Sequence, residues 1–460
     1  LKDRYDVVIV GTGPAGIFAL MELTKNAPAL NILVLDKGKD IEQRICPLTE
    51  GASKCLNCRP CDLLSGWGGA GAFSDGKLSL SPEVGGNLNR FISETELKEL
   101  IEYVDREYVR FGAPEIKYGQ QSQEFERLRK KAALNDLILI NNPVRHIGTE
   151  RCRQVLQRMR QMLDSKADFL FGTRIKNIIC ESGKVQGVRL DNGKEIRAEI
   201  VIVGPGREGS RWFEREARRL GLSLLNNPVD LGLRIEVPAE VMEPLTKVTY
   251  EPKLLYYSKS FDDKVRTFCV NPYGEVVKEH LKGVWTVNGH SYSERRTENT
   301  NFALLVSTYF TEPFNEPLSY GRYIARLANF LGMGVIVQRL GDLRKGRRST
   351  AERIEKALVR PTLKDATPGD LSFALPYRYL QDILEMLEAM DGLAPGVNSR
   401  HTLLYGIEVK FYSRQVKLTE ELETEIDNLF AVGDGAGVSR GLIQASVSGV
   451  IAARAALKRL

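Results

Sequence analysis

Apolar positions cluster near the start of the chain in a run of four, Val7 to Val10, with polar residues before it and glycines after it. A short run without alternation predicts a strand buried on both faces. Ile17 to Leu23 carries its apolar positions at helical spacing, and a second buried run, Asn31 to Leu35, ends at Asp36. Strand, helix and strand in this order predict a parallel βαβ unit. Residues 179–204 behave differently. They alternate apolar with polar positions and break at Ser182–Gly183 and at Asp191–Asn192–Gly193, which predicts a three-stranded ribbon. Residues 84–144 are polar with helical periodicity, including a helix from Glu94 to Phe111, and read as a helical insertion. Strand-like runs at 254–258 and 266–274, followed by two helices, predict a separate domain over 226–394. Near the end, Leu429 to Val432 forms a strand that runs into glycines, and a small-residue helix follows from about Leu442. The expected fold class is α/β. A discontinuous Rossmann-like domain (1–83, 145–225 and 395–460) carries an inserted α+β substrate or cap domain.

The first strand ends on Gly11, Gly13 and Gly16, spaced G-x-G-x-x-G, with Pro14 and Ala15 between the last two. Gly11 permits the tight turn, Gly13 lets the backbone approach a pyrophosphate, and Gly16 lets helix pack on strand. The helix amino terminus presents unpaired N–H groups to the diphosphate. Asp36, twenty residues after Gly16, stands where an acid accepts from a ribose hydroxyl, with Lys37 beside it. Gly204, Gly206 and Gly209 repeat the spacing, but no strand ending in an acid follows at the required distance. This second match reads as the strand returning from the ribbon. A pyridine nucleotide, NAD(P)H, could then dock only transiently, as a donor without its own Rossmann unit.

Between the βαβ unit and a glycine loop lie Cys46, Cys55, Cys58 and Cys61, spaced C-x8-C-x2-C-x2-C. Three occupants suit such a group: a [4Fe–4S] cluster, a tetrahedral zinc, or thiols that cycle through a disulfide. The loop that follows holds Gly66, Gly68, Gly69, Ala70 and Gly71, then Ser74. So many glycines imply a ligand close to the backbone. Trp67 and Phe73 argue against a flexible linker.

The chain's 460 residues exceed one small core, so two or three domains are expected. No apolar run has the length of a membrane span; because the first strand begins within a few residues of Leu1, no signal peptide is expected, although a first residue other than Met is consistent with a trimmed leader. Seven cysteines, four of them in one short segment, suggest a reducing cytoplasm, not a secreted disulfide framework. A net charge of +6 is slight for this length and argues against nucleic acid as the main partner.

Gly433–Asp434–Gly435 and the helix beginning near Gly441 and Leu442 resemble the closing motif of the large FAD-dependent superfamily related to glutathione reductase. The resemblance implies FAD, with Asp434 on the ribityl chain and the helix start facing the flavin pyrimidine. The loop GGAGAFSDGKL beside the cysteines is similar to that of a family of bacterial and archaeal FAD-dependent dehydrogenases of undefined substrate. PVDLGLRIEVP at 228–238 and VNGHSYS at 287–293 extend the likeness over nearly the whole chain. Longer relatives lack the cysteine group, so flavin binding does not depend on it.

The expected activity is therefore hydride transfer between flavin N5 and a small or medium organic substrate. The cysteine cluster would relay electrons, with a ferredoxin-like protein as donor. Candidate catalytic residues are His290 in a cap-domain turn, His401, and Arg440 just before the flavin helix. A structural turn is the plainer reading of His290. Two alternatives are a NAD(P)H-driven flavin reductase with structural zinc and a tRNA-modifying flavoprotein. The second rests only on the basic charge and on Arg344, Lys345, Arg347 and Arg348, which also suit a solvated loop.

Overall fold

The computed structural model describes the whole chain except residues 1, 48–55, 57, 282, 292–295, 311–312 and 315. Two compact units emerge. The first combines 1–117, 144–227 and 413–460, and the second combines 118–143 and 228–412. Residues 84–144, expected as one insertion, are thus shared. The helix Glu94–Arg110 belongs to the first unit, while the helix Gln123–Ala133 and the strand Leu137–Ile140 belong to the second.

The first unit is built on a mixed sheet. Its strands run in the order Asp168–Leu170, Ile32–Leu35, Arg4–Val10, Glu195–Val203, Lys184–Leu190 and Ile175–Glu181. The first four are parallel, and the last two close an antiparallel ribbon onto Glu195–Val203. This is the βαβ unit and three-stranded ribbon that the pattern predicts. The strand Glu195–Val203 is shared along its length: its start pairs with the ribbon, and its end pairs in parallel with Leu429–Ala431. Every residue of the strand Ile32–Leu35 is buried, as the unbroken apolar run requires. The helices Pro14–Asn26 and Leu442–Leu457 pack on each other. Tyr108, from the helix Glu94–Arg110, lies 5.2 Å from the Phe18 ring and shares a hydrogen bond with Ser446 Oγ.

The second unit holds an eight-stranded sheet centred on the antiparallel strands Leu403–Lys410, Val229–Pro238 and Asn299–Thr308. Alternation sorts the residues of Val229–Pro238. Leu231, Leu233, Ile235 and Val237 enter the apolar core, together with Ala325 and Ala328 of the helix Pro317–Gly332 and Ile383 and Met386 of the helix Tyr377–Asp391. Asp230, Arg234 and Glu236 take the other face and are also fully buried, so that face is a hydrogen-bonded polar layer.

Candidate nucleotide and flavin site

The site is a meeting of loops at the ends of the parallel strands. Gly11 adopts φ +99°, and a Cβ there would lie 2.1 Å from the carbonyl oxygen of Gly204. The second glycine match therefore packs against the first. Its Gly206 serves the same end at the far motif, where a Cβ on Gly435 would lie 2.2 Å from Gly206 O. Both contacts need bare backbone.

Gly13 is different. A Cβ there would meet nothing within 4 Å. Gly13 caps the helix Pro14–Asn26 without a side-chain hydrogen bond, and no acid lies in the first turn. Gly441 starts the helix Leu442–Leu457 in the same way. Both helix starts border the glycine loop: a Cβ on Gly71 would lie 2.8 Å from Leu442 Cδ2 and 3.8 Å from Pro14 Cγ. Two uncapped, acid-free helix ends at one loop leave positive field and orphan N–H groups for an anion. Gly68, Gly71, Pro14, Leu442, Cys152 and Leu156 all line a small, largely apolar cavity. Burial pushes the Cys152 thiol up to about 12, so it stays protonated.

Asp36 stands where the sequence puts it, but its carboxylate is occupied by the protein. Oδ2 accepts from Thr12 N at 2.8 Å and Thr12 Oγ1 at 2.7 Å, and Oδ1 accepts from Gly38 N at 2.7 Å and Gly66 N at 3.0 Å. The acid thus ties the first glycine turn to the glycine loop. Lys37 pairs with Glu208 at 2.9 Å, and Ser65 Oγ donates to the same carboxylate. Gly68 N bonds Thr12 O at 2.7 Å, while Gly69 and the half-turn to Phe73 continue the loop past Ala70. Ser74 Oγ closes it by donating to Gly71 O at 3.0 Å.

At the other end, Asp434 accepts from Ser439 Oγ at 2.6 Å and from Arg207 Nε at 2.9 Å. Gly433 N donates to Ser448 Oγ at 3.0 Å. Arg440 N bonds Gly85 O at 2.8 Å, which holds the residues before the helix against the loop at 85. Gln444 donates to Val84 O and Pro82 O from within the helix.

Four contributors escaped the sequence reading: Thr12, Arg44, Arg207 and Gln444. Arg44 is fully buried. Its Nε donates to Asp62 O and its Nη1 to Trp67 O, and its guanidinium lies 4.9 Å from the Phe73 ring centre. Burial pulls it down to about 10 against the opposing fields of Asp36 and Asp62. It braces the glycine loop against the cysteine segment. Arg207 could have been noticed as a cation directly after a Gly-Pro-Gly turn. Gln444 had no signal beyond being a polar residue in an apolar helix.

Of the four clustered cysteines, Cys55 lies outside the described residues. Cys46 is buried, Cys61 half-buried and Cys58 exposed. Among the described residues, no three His, Cys, Asp or Glu side chains gather at a metal position. No helix among them is long and apolar enough to cross a membrane.

The candidate catalytic residues fall on different units. His290 ends the strand Val284–His290 and is exposed, in the second unit. His401, in the same unit, has Arg400 Nε 3.1 Å from its Nε2 and Leu358 N 3.4 Å from its Nδ1, and as a neutral ring accepts from one of the two. Burial and then the Arg400 and Arg339 charges hold it below the usual histidine range. Arg440 belongs to the first unit. Two of the four cations of the basic run are committed within the protein: Arg344 pairs with Glu388 and Arg347 with Asp342.

Residues 228–411 match the family described as FAD-dependent protein, C-terminal domain-like. An uncharacterized protein of Clostridium beijerinckii is 28% identical over 477 residues, covering 96% of this chain and 79% of that one. Among solved structures, L-proline dehydrogenase from P. horikoshii is 10% identical with a TM-score of 0.41, over 100% of this chain and 95% of that one. Glycine oxidase from Bacillus cereus is 13% identical with a TM-score of 0.37, over 99% and 96%. The match over 228–411 agrees with the expectation of an FAD-dependent protein.

Proposed function

We propose that this FAD-dependent oxidoreductase moves a hydride between its flavin and an organic substrate received by the second unit. The observation that carries the reading is the pair of uncapped, acid-free helix starts at one glycine loop, joined to the family match over 228–411. Bound FAD would supply a two-electron carrier at its N5. The chain's residues would do the rest. The first-turn N–H groups after Gly13 hold the diphosphate, with Gly68, Gly69 and Ala70 against it. Asp434, already oriented by Ser439, takes a hydroxyl of the polyol chain in place of Arg207. The N–H groups after Gly441 and Leu442 would stabilise negative charge on a flavin held there. His290 is the proposed proton donor. His401, held neutral at pH 7, would accept a proton or hydrogen bond, and Arg440 would meet a substrate anion. The test is reconstitution with FAD after anaerobic purification, with flavin counted per chain. One flavin that bleaches on adding reductant supports the reading, and no flavin overturns it.

A second redox centre is favoured by the cysteine spacing alone. If a [4Fe–4S] cluster is held there, iron and sulfide will each reach about four per chain. Cys58→Ser would then remove the visible cluster absorption and keep FAD. Zinc, or no metal, assigns these cysteines a structural or thiol role. Rapid anaerobic bleaching by NADPH would make a nicotinamide the donor in place of a ferredoxin-like protein.

A further inference from the structure

On the polar face of the second unit's sheet, one ring is surrounded by cations. Lys253 Nζ, Arg266 Cζ and Lys410 Nζ lie 5.3, 4.9 and 5.4 Å from the centre of Phe268. Their side chains are only 10%, 21% and 17% exposed. Each has a carboxylate: Lys253 pairs with Glu251 at 2.6 Å, Arg266 with Asp230, and Lys410 with Glu408 at 2.9 Å. Glu408 is also gripped through both oxygens by Arg234, at 2.7 and 2.9 Å. Four cations, Lys253, Arg266, Lys410 and Arg234, therefore share three carboxylates, Glu251, Asp230 and Glu408.

Glu236, on the same face, is engaged by Asn299, Thr362 and Tyr405 and pairs with none of these cations, so the cluster keeps a surplus of one positive charge, which is costly to bury unless an anion completes it. Two further observations fall at the same place. Asn301 is fully buried; its Oδ1 accepts from Arg234, and its Nδ2 has no partner. Cys269, directly after Phe268, holds φ +43°, and the strand register shifts between Phe268 and Asn271. A left-handed non-glycine residue in a bulge is strained backbone of the kind that sets a side chain for a ligand. The Cys269 carbonyl is fixed there by Arg234 Nη1 at 3.2 Å and Asn271 Nδ2 at 2.7 Å.

We propose that the Phe268 cluster receives the anionic end of the substrate, a carboxylate carried on an apolar or aromatic body that rests on the Phe268 ring. Lys410 and Arg266 supply the charge, and the ring supplies the apolar contact. The proposal rests on the reading of 228–411 as the substrate-receiving part of a flavin enzyme.

The test is ligand-observed NMR with benzoate on the FAD-loaded protein, with benzamide as the uncharged control. Benzoate is expected to bind at least about tenfold more tightly than benzamide, the scale of one charge-assisted contact. Lys410→Met levels the cluster at three charges of each sign and should weaken benzoate by about tenfold. Glu251→Gln keeps a hydrogen-bonding amide beside Lys253 and raises the surplus, so it should tighten benzoate by about threefold. No benzoate binding, equal binding of benzamide, or both variants binding as the parent does would overturn the proposal. If Lys410→Met does not fold, Glu251→Gln decides alone. Charge-selective binding by a chain that takes up no FAD would leave this site standing and sink the hydride-transfer reading.

Discussion

Gly11 and Gly13 stand two positions apart in one motif and answer to different constraints. Gly11 sits at φ +99° against Gly204 O, so a side chain there is strained by the backbone and blocked by the neighbour. Gly11→Ala should cost about 3 kcal/mol or more and show as a lower thermal midpoint with or without FAD. Gly13→Ala meets no atom of the protein, so the apo midpoint should stay unchanged while FAD affinity falls by about tenfold. A matched fall in apo stability would mean that Gly13 is structural. Asp342 makes a separate prediction. Burial pushes its carboxyl up, but hydrogen bonds from Arg339, Ser349 and Arg347 outweigh this and hold it at about 2, below the ordinary 3.8. A depressed folded value stabilises the fold fully above the ordinary value and loses that contribution as pH falls towards about 2. Thermal midpoints should therefore drop between about pH 4 and pH 2, and Asp342→Asn should flatten that part of the profile. The glycine spacing and Asp36 were legible because their chemistry is local in sequence. The partners of Asp36 were not, since Gly66 reaches it from thirty residues away.

At the scale of elements, the helices Pro14–Asn26 and Leu442–Leu457 must lie close to bring both amino ends to one loop. Gly449 allows this: a Cβ there would fall 2.0 Å from Ala15 O. Gly449→Val should push the helices apart, cost about 1–3 kcal/mol, and weaken FAD binding because both helix ends move. A variant that melts earlier but binds FAD normally would show that the two ends are positioned independently. The small-residue composition of the closing helix announced close packing, though not against which helix. The ribbon was readable over 179–204 from alternation and turn residues, and the structure starts its first strand earlier, at Ile175. The glycines at 204–209 were readable as a returning strand's end; that they face Gly11 and Gly435 came from the parallel pairing of Glu195–Val203 with Arg4–Val10.

For the whole molecule, the division into units departs most from a linear reading. The strand Leu137–Ile140 leaves the helical stretch to become the edge of the second sheet, pairing with Lys253–Tyr257. Phe125 and Leu128 of the preceding helix enter that unit's apolar core. Replacing 118–143 by a short linker should therefore bare the Lys253–Tyr257 edge and this core, and lower soluble yield even though the 228–411 region is untouched. Normal yield and melting would show the segment to be dispensable. The sequence by itself determined the glycine-rich βαβ end of this protein. Glycine spacing, a buried strand and helical periodicity act between near neighbours, and their physics needs few distant partners. Only the tertiary structure decided how the polar layer is made. Asp230, Arg234 and Glu236 look like ordinary alternate residues of one strand; Asp230 is paired by Arg266, Arg234 by Glu408, and Glu236 is held by Asn299, Thr362 and Tyr405, all from segments far along the chain. Ion pairing across a sheet depends on register between distant segments, and a single chain read in order does not contain that register.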